Sequence, residues 1–233
     1  MLSRISNFSG PKSTLFGKKI QDVSTPLSLK LLILGDSSVS DVSNSINNRL
    51  IELGYSEFTI NTQELSINYE GTGLSPEDYT TILMYTNGGD YGSPNLSNNL
   101  NNYMDSGGNF VTAVFMWNIK PTGFDYNRTT FQGDVSQSYR SGGGNMIIDV
   151  VHPITSGILL DIGDSWENTV TNITTGSTKI ATSPTGRPLI GIKDVIRKVG
   201  SHRISSINSF PPMMNTNMIN LLTNCILWSN GNI

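Results

Sequence analysis

Residues 29–41 read LKLLILGDSSVSD, and the reading of this stretch decides the fold. Residues 29–34 form a short apolar run, as a strand buried on both faces requires. Gly35-Asp36-Ser37-Ser38 follows as a turn, with Ser40 or Asp41 the expected helix N-cap. Val42, Ile46, Leu50 and Leu53 then recur at helical spacing, and Gly54 ends the helix.

The pattern continues outward. Residues 58–61 and 80–85 (TTILMY at its centre) read as the second and third strands. Leu96, Leu100 and Tyr103 mark a second helix, closed by Ser106-Gly107-Gly108, and residues 109–117 (NFVTAVFMW) form a fourth strand. This rhythm of strand, helix, strand, strand, helix, strand is that of a flavodoxin-like α/β fold: a parallel sheet flanked by helices, with right-handed crossovers. Ligands bind such sheets beyond the carboxyl ends of the strands. Three loops fall there, which makes Asp36, Asn87, Trp117 and Asn118 the ligand-binding candidates.

The second half changes character. Residues 118–145 are a polar, Gly-rich excursion carrying Phe124, Tyr126, Phe131 and Tyr139 close behind Trp117. These aromatics either pack locally over the sheet edge or form a sugar- or protein-binding face. Ser141–Asn145 (SGGGN) reads as a hinge, since no strand-to-helix context or following Lys-Ser/Thr makes it a phosphate cradle. Short β-like runs follow at 167–171, 179–182, 189–192 and 203–208, so the parallel sheet carries an added β-rich second half. Residues 213–228 form the last helix. Cys225 lies in its apolar pattern and reads as a buried structural thiol.

Bulk properties exclude several classes. At 233 residues the chain suits one domain, taken here as 28–233, behind an arm of residues 1–27. The net charge of −3 argues against nucleic acid as a partner. The arm is the local exception. Its first 20 residues hold Arg4, Lys12, Lys18 and Lys19 and no acid, which makes these four the partner-binding candidates for a protein neighbour or a second copy. One cysteine rules out an internal disulfide and a multi-Cys zinc site. The N-terminus has no apolar signal core, and no run approaches the roughly 18 residues of a membrane span. The expectation is a non-membrane chain, cytoplasmic or part of an assembled particle. No metal-ligand pattern and no cofactor motif occur, so neither a metal nor a cofactor is expected.

LLILGD, YTTILMYTNGG, YMDSGGNFVTAVF, HPITSGI, VGSHRISSINSFPP and NCILWSNG occur in this order over residues 28–231. The chain thereby resembles the class I glutamine-amidotransferase-like superfamily, in its ThuA-like and related non-amidotransferase branches. The glutaminases of that superfamily carry a Cys on a G-x-C-x-G elbow after the fourth strand, and a His followed two residues on by a carboxylate. Here the elbow position reads Ala113-Val114-Phe115-Met116-Trp117. His152 precedes Pro153-Ile154, and His202 precedes Arg203-Ile204. The resemblance therefore implies the fold without the nucleophile, and no catalytic residue carries over. A fold without its site chemistry supplies no function by itself.

The enzyme alternative is an SGNH-type esterase. Gly35-Asp36-Ser37 follows the first strand, and Asp149-Val150-Val151-His152-Pro153 copies a D-x-x-H-P block. Ser37 would be the nucleophile, His152 the base, Asp149 its orienter and Asn87 an oxyanion donor. About eighty residues follow His152, where that family has one final helix. On the structural alternative His152 caps a turn before Pro153. The sequence favours a non-catalytic binding or structural subunit of a larger assembly, such as a virion or another multiprotein particle. A ThuA-like carbohydrate-related binding domain is the remaining alternative.

Overall fold

A computed structural model describes residues 27–87, 93–114, 116, 124–133, 138–168, 171–196 and 201–233. The expected arm and its four cations lie outside these residues, as do Trp117 and Asn118.

β1 (Leu29–Gly35) buries every residue except Lys30, because neighbouring strands and helices enclose both of its faces. α1 (Val39–Glu52) buries Val42, Ile46 and Leu50 as one stripe. It starts earlier than the expected caps. Ser38 takes a left-handed φ of 48° and is the N-cap without a side-chain bond, so Ser40 and Asp41 lie inside the first turn. A left-handed serine turns the chain sharply enough to begin the helix at once, and no propensity rule anticipates it.

β2 (Phe58–Glu64) pairs parallel with β1. β3 (Thr81–Met84) lies on the other side of β1, and β4 (Asn109–Ala113) beside β3, both parallel. α2 (Pro94–Asp105) connects them, with Pro94 in its first turn and Gly107 at φ 97° beyond its end. β4 is shorter than the sequence suggested, because the chain turns out of the sheet at Val114.

Two short strands, β5 (Phe131–Gly133) and β6 (Ser138–Gly142), then precede the return to the sheet at β7 (Ile147–Ile148). The polar, Gly-rich excursion is thus partly β. β8 (Asp164–Asn168) pairs with β6, and β9 (Thr171–Ile173) with β5, as two antiparallel ribbons. The Gly-rich run expected to be a hinge is the turn out of β6. Gly143 and Gly144 have φ of 76° and 123°, and a Cβ on Gly143 would come within 3.1 Å of Gly163 backbone.

β10 (Thr178–Thr182), β11 (Pro188–Ile196) and β12 (Ser201–Ile207) complete an eight-stranded sheet of order β2-β1-β3-β4-β12-β11-β10-β7. β12 is parallel to β4, whereas β11, β10 and β7 alternate direction. α3 (Thr216–Asn230) packs on β12 and alongside α1, and is buried from Leu221 to Asn230 without interruption. Its polar groups find partners inside: Ser229 with Ser205, Asn230 with Thr81, and Asn224 with the Ile154 carbonyl. At its end Asn232 donates to the Leu27 carbonyl at 2.7 Å, so the two ends of the described chain lie side by side. The architecture is a flavodoxin-like α/β sheet with helices on it and an added β-rich second half.

Candidate functional site

The chain runs from β1 sideways to β2 and then crosses back to β3, so the strand order reverses between β1 and β3. That reversal opens the crevice where parallel α/β sheets take ligands. Asp36 stands at its β1 side and Asn87 at its β3 side, and the structure brings these two candidates together. The Asn87 N–H donates to Asp36 Oδ2 at 2.5 Å, and the Ser37 hydroxyl donates to Asp36 Oδ1 at 3.3 Å. The Tyr85 hydroxyl donates to the Ser37 carbonyl at 2.8 Å. Burial, reinforced by Asp36 and Asp41, holds the Tyr85 phenol well above its ordinary range, so it stays a neutral donor. A Cβ at Gly35 would strike that ring. Phe210, just beyond β12, meets Tyr85 edge-on at 6.1 Å. Thr86 Oγ1 is buried here with no hydrogen-bond partner among the described residues.

The neighbouring exit from β4 is apolar. Val114 and Met116 are fully buried, and the Val114 N–H donates to the Ser209 carbonyl at 3.3 Å. Ser209 in turn is hydrogen-bonded to Ser165 of β8. Close by in the fold, Glu167 is fully buried and accepts hydrogen bonds from Ser183 at 2.9 Å and Thr185 at 2.8 Å, with Arg187 at 3.9 Å. Sequence reasoning missed Glu167, because one acid in a polar run carries no mark of burial. It also missed Tyr85 and Thr86, although their place at the end of an apolar strand was a usable signal.

The D-x-x-H pattern does not assemble a dyad. Asp149 accepts from Thr182 Oγ1 at 2.6 Å and pairs with Lys179 at 3.3 Å, both on β10. His152 is the N-cap of a 3-10 turn: its Nδ1 accepts from the Ile154 N–H at 3.3 Å and its carbonyl from Thr155. Its ring lies beside Trp228, over which Arg203 stacks at 5.0 Å. Burial lowers the His152 pKa first; Arg203 adds to this and Asp194 opposes it.

Topology then separates His152 from Ser37. Arg203 lies near the start of β12 and Trp228 in the last turn of α3, which puts His152 at the amino edge of the sheet. Ser37 follows the end of β1, which runs in the same direction, and so stands at the carboxyl edge. Seven residues of strand lie between the two edges, ~20 Å at ~3.3 Å each. The serine and the imidazole are not brought together.

Cys225 is fully buried, and burial pushes its thiol up to about 12. His202 is buried within β12. Among the described residues no three of His, Cys, Asp and Glu converge on a common point, and no helix is long and apolar enough to cross a membrane. Two of the excursion aromatics are core: Phe131 is fully buried and Phe124 leans on Phe110 at 6.2 Å.

No known family profile matches the sequence, and no curated protein matches it. Solved structures do match the fold. A putative ThuA-like protein from Parabacteroides merdae is 15% identical, with a TM-score of 0.59 over 88% of this chain and 91% of its own. A second, from Bacteroides uniformis, is 12% identical, with a TM-score of 0.55 over 88% and 93%. The glutaminase domain of Trypanosoma brucei CTPS, solved with bound acivicin, is 10% identical, with a TM-score of 0.50 over 87% and 93%. On this sheet order and these likenesses, the chain has the class I glutamine-amidotransferase-like fold.

Proposed function

We propose that the chain is a non-catalytic amidotransferase-like module that acts as a binding or structural subunit of a larger assembly, such as a virion or another multiprotein particle. One observation carries this reading. The end of β4, where the superfamily's glutaminases place their Cys, is Ala113-Val114, both fully buried and without a nucleophile. The single cysteine is sealed in α3 instead. Two further features support it. The Asp36 carboxylate engages the Asn87 N–H across the crevice, and the Ser37 hydroxyl is spent on that carboxylate.

The test joins chemistry and assembly. The chain is incubated with glutamine, with acivicin and with a fluorophosphonate, and its mass in solution is measured by sedimentation. The expected results are no ammonia, no covalent adduct and a species heavier than one chain. Ammonia release, or stoichiometric labelling of Ser37, overturns the reading.

A further inference from the structure

Among the described residues, six of the twelve exposed large hydrophobic side chains fall within residues 147–160. They are Ile147, Ile148, Val150, Val151, Leu159 and Leu160, with Val151 96% and Leu159 73% exposed. Half of the exposed apolar set in so short a stretch is a cluster along the sheet's edge strand, and clusters of this kind mark interaction sites. The Met146 N–H donates to the Leu160 carbonyl at 2.8 Å and Asn145 bridges to Asp161, which lays residues 159–161 beside the start of β7. β7 is also the last strand of the sheet, paired with β10 on one side only. An open strand end beside apolar side chains is a template for another chain.

The charges point to the occupant. Of the acids in residues 141–178, Asp149 is paired with Lys179 and Glu167 is buried, which leaves Asp161 and Asp164 for the face. Asp161 and Asp164 are exposed next to the face. Residues 1–21 hold Arg4, Lys12, Lys18 and Lys19, interspersed with Leu15, Phe16 and Ile20, and no acid. A basic, partly apolar segment complements an acidic, apolar face.

Reach permits both the chain's own segment and a neighbour's. Leu27 is fixed beside Asn232 at the amino edge of β1. β7 lies six strand spacings away in the sheet order, ~29 Å at ~4.8 Å each. A 26-residue segment extends at most ~86 Å, so both are within range. Its own face would require the segment to cross the whole amino edge of its sheet. Two copies that exchange segments satisfy both faces around one two-fold axis.

We propose that this face receives residues 1–26 of a second copy of the chain, the two copies exchanging basic N-terminal segments. The proposal rests on the reading of the chain as an assembly subunit. Sedimentation velocity on the full chain, V151D/L159D and K18E/K19E tests it, with circular dichroism to confirm that the variants fold. Val151 and Leu159 are exposed enough to be replaced without disturbing the core. The full chain should dimerise, and each variant alone should dimerise at least about tenfold more weakly. An equimolar mixture of the two variants should recover part of the association, because one intact segment then meets one intact face. A monomeric full chain, variants that dimerise like the parent, or a mixture that recovers nothing overturns the exchange. Retained dimerisation in the variants sinks the exchange but leaves the subunit reading intact. Glutamine turnover sinks the subunit reading alone.

Discussion

The imidazole of His152 meets the indole of Trp228 edge-on, with ring centroids 5.3 Å apart and planes at 66°. The histidine that the sequence offered either as a turn cap or as a catalytic base is thus held by packing and by the turn it caps. That has a pH consequence. Burial and Arg203 lower its pKa, so the fold holds the neutral ring. As pH falls, the unfolded chain takes the proton first. The stability from this residue is therefore complete above about pH 6.5 and is lost as pH falls through the lower folded-state value. Urea midpoints measured near pH 7.5 and near pH 5.5 should differ less in His152→Gln than in the parent; an equal difference refutes the assignment.

Asp36 is expected to set the loop after β3. Asp36→Ala removes the acceptor of the Asn87 N–H and of the Ser37 hydroxyl. The cost should be about 1–3 kcal/mol, with faster amide exchange at Asn87. Unchanged exchange there would mean that the carboxylate does not hold the crevice.

Glu167 should matter more for folding than any exposed acid. Its carboxylate is fully buried among Ser183, Thr185 and Arg187. Glu167→Ala removes the acceptor shared by the Ser183 and Thr185 hydroxyls and should cost about 1–3 kcal/mol in chemical denaturation. Glu167→Gln keeps an acceptor oxygen and should cost less. Equal losses in both variants would show that the carboxylate's charge, and not its volume or a single acceptor oxygen, dominates.

Gly191 is expected to be intolerant of any side chain. A Cβ there would come within 2.7 Å of Phe131 Cε1 and Thr130 Oγ1. Gly191→Ala should destabilise by about 1–3 kcal/mol, and adding Phe131→Leu should return part of it. Additive losses would exclude this contact as the cause.

The Cys225 thiol should ignore aromatic disulfide reagents until the chain unfolds, since it is fully buried and held protonated. Stoichiometric labelling in native buffer would contradict the placement of α3.

The parallel half of the fold was legible because its signals are local. The apolar run at β1, the stripe Val42–Ile46–Leu50 and the glycines after α2 each report a burial pattern or a turn within a few residues. The same locality placed Asp36 and Asn87 at one crevice, since each follows one of two adjacent strands. What failed to show depends on distant partners. Asp149 and His152 are three residues apart, yet Asp149 is claimed by Thr182 and Lys179 of β10, which no short window contains. β5 and β6 pair with strands far along the chain, so their own sequences read as a polar, Gly-rich excursion. The left-handed Ser38 moved a helix start by breaking the rule used to find it.

The bond from Asn232 to Leu27 has a consequence for how this domain can be carried. Both its ends emerge at one point, so it needs only a single narrow attachment to whatever bears it. A short linker from residue 233 to residue 27, with a new opening at the exposed turn around Gly54, should give a circularly permuted chain with the same sheet. The domain could equally sit as an insert in a surface loop of another protein without stretching its host.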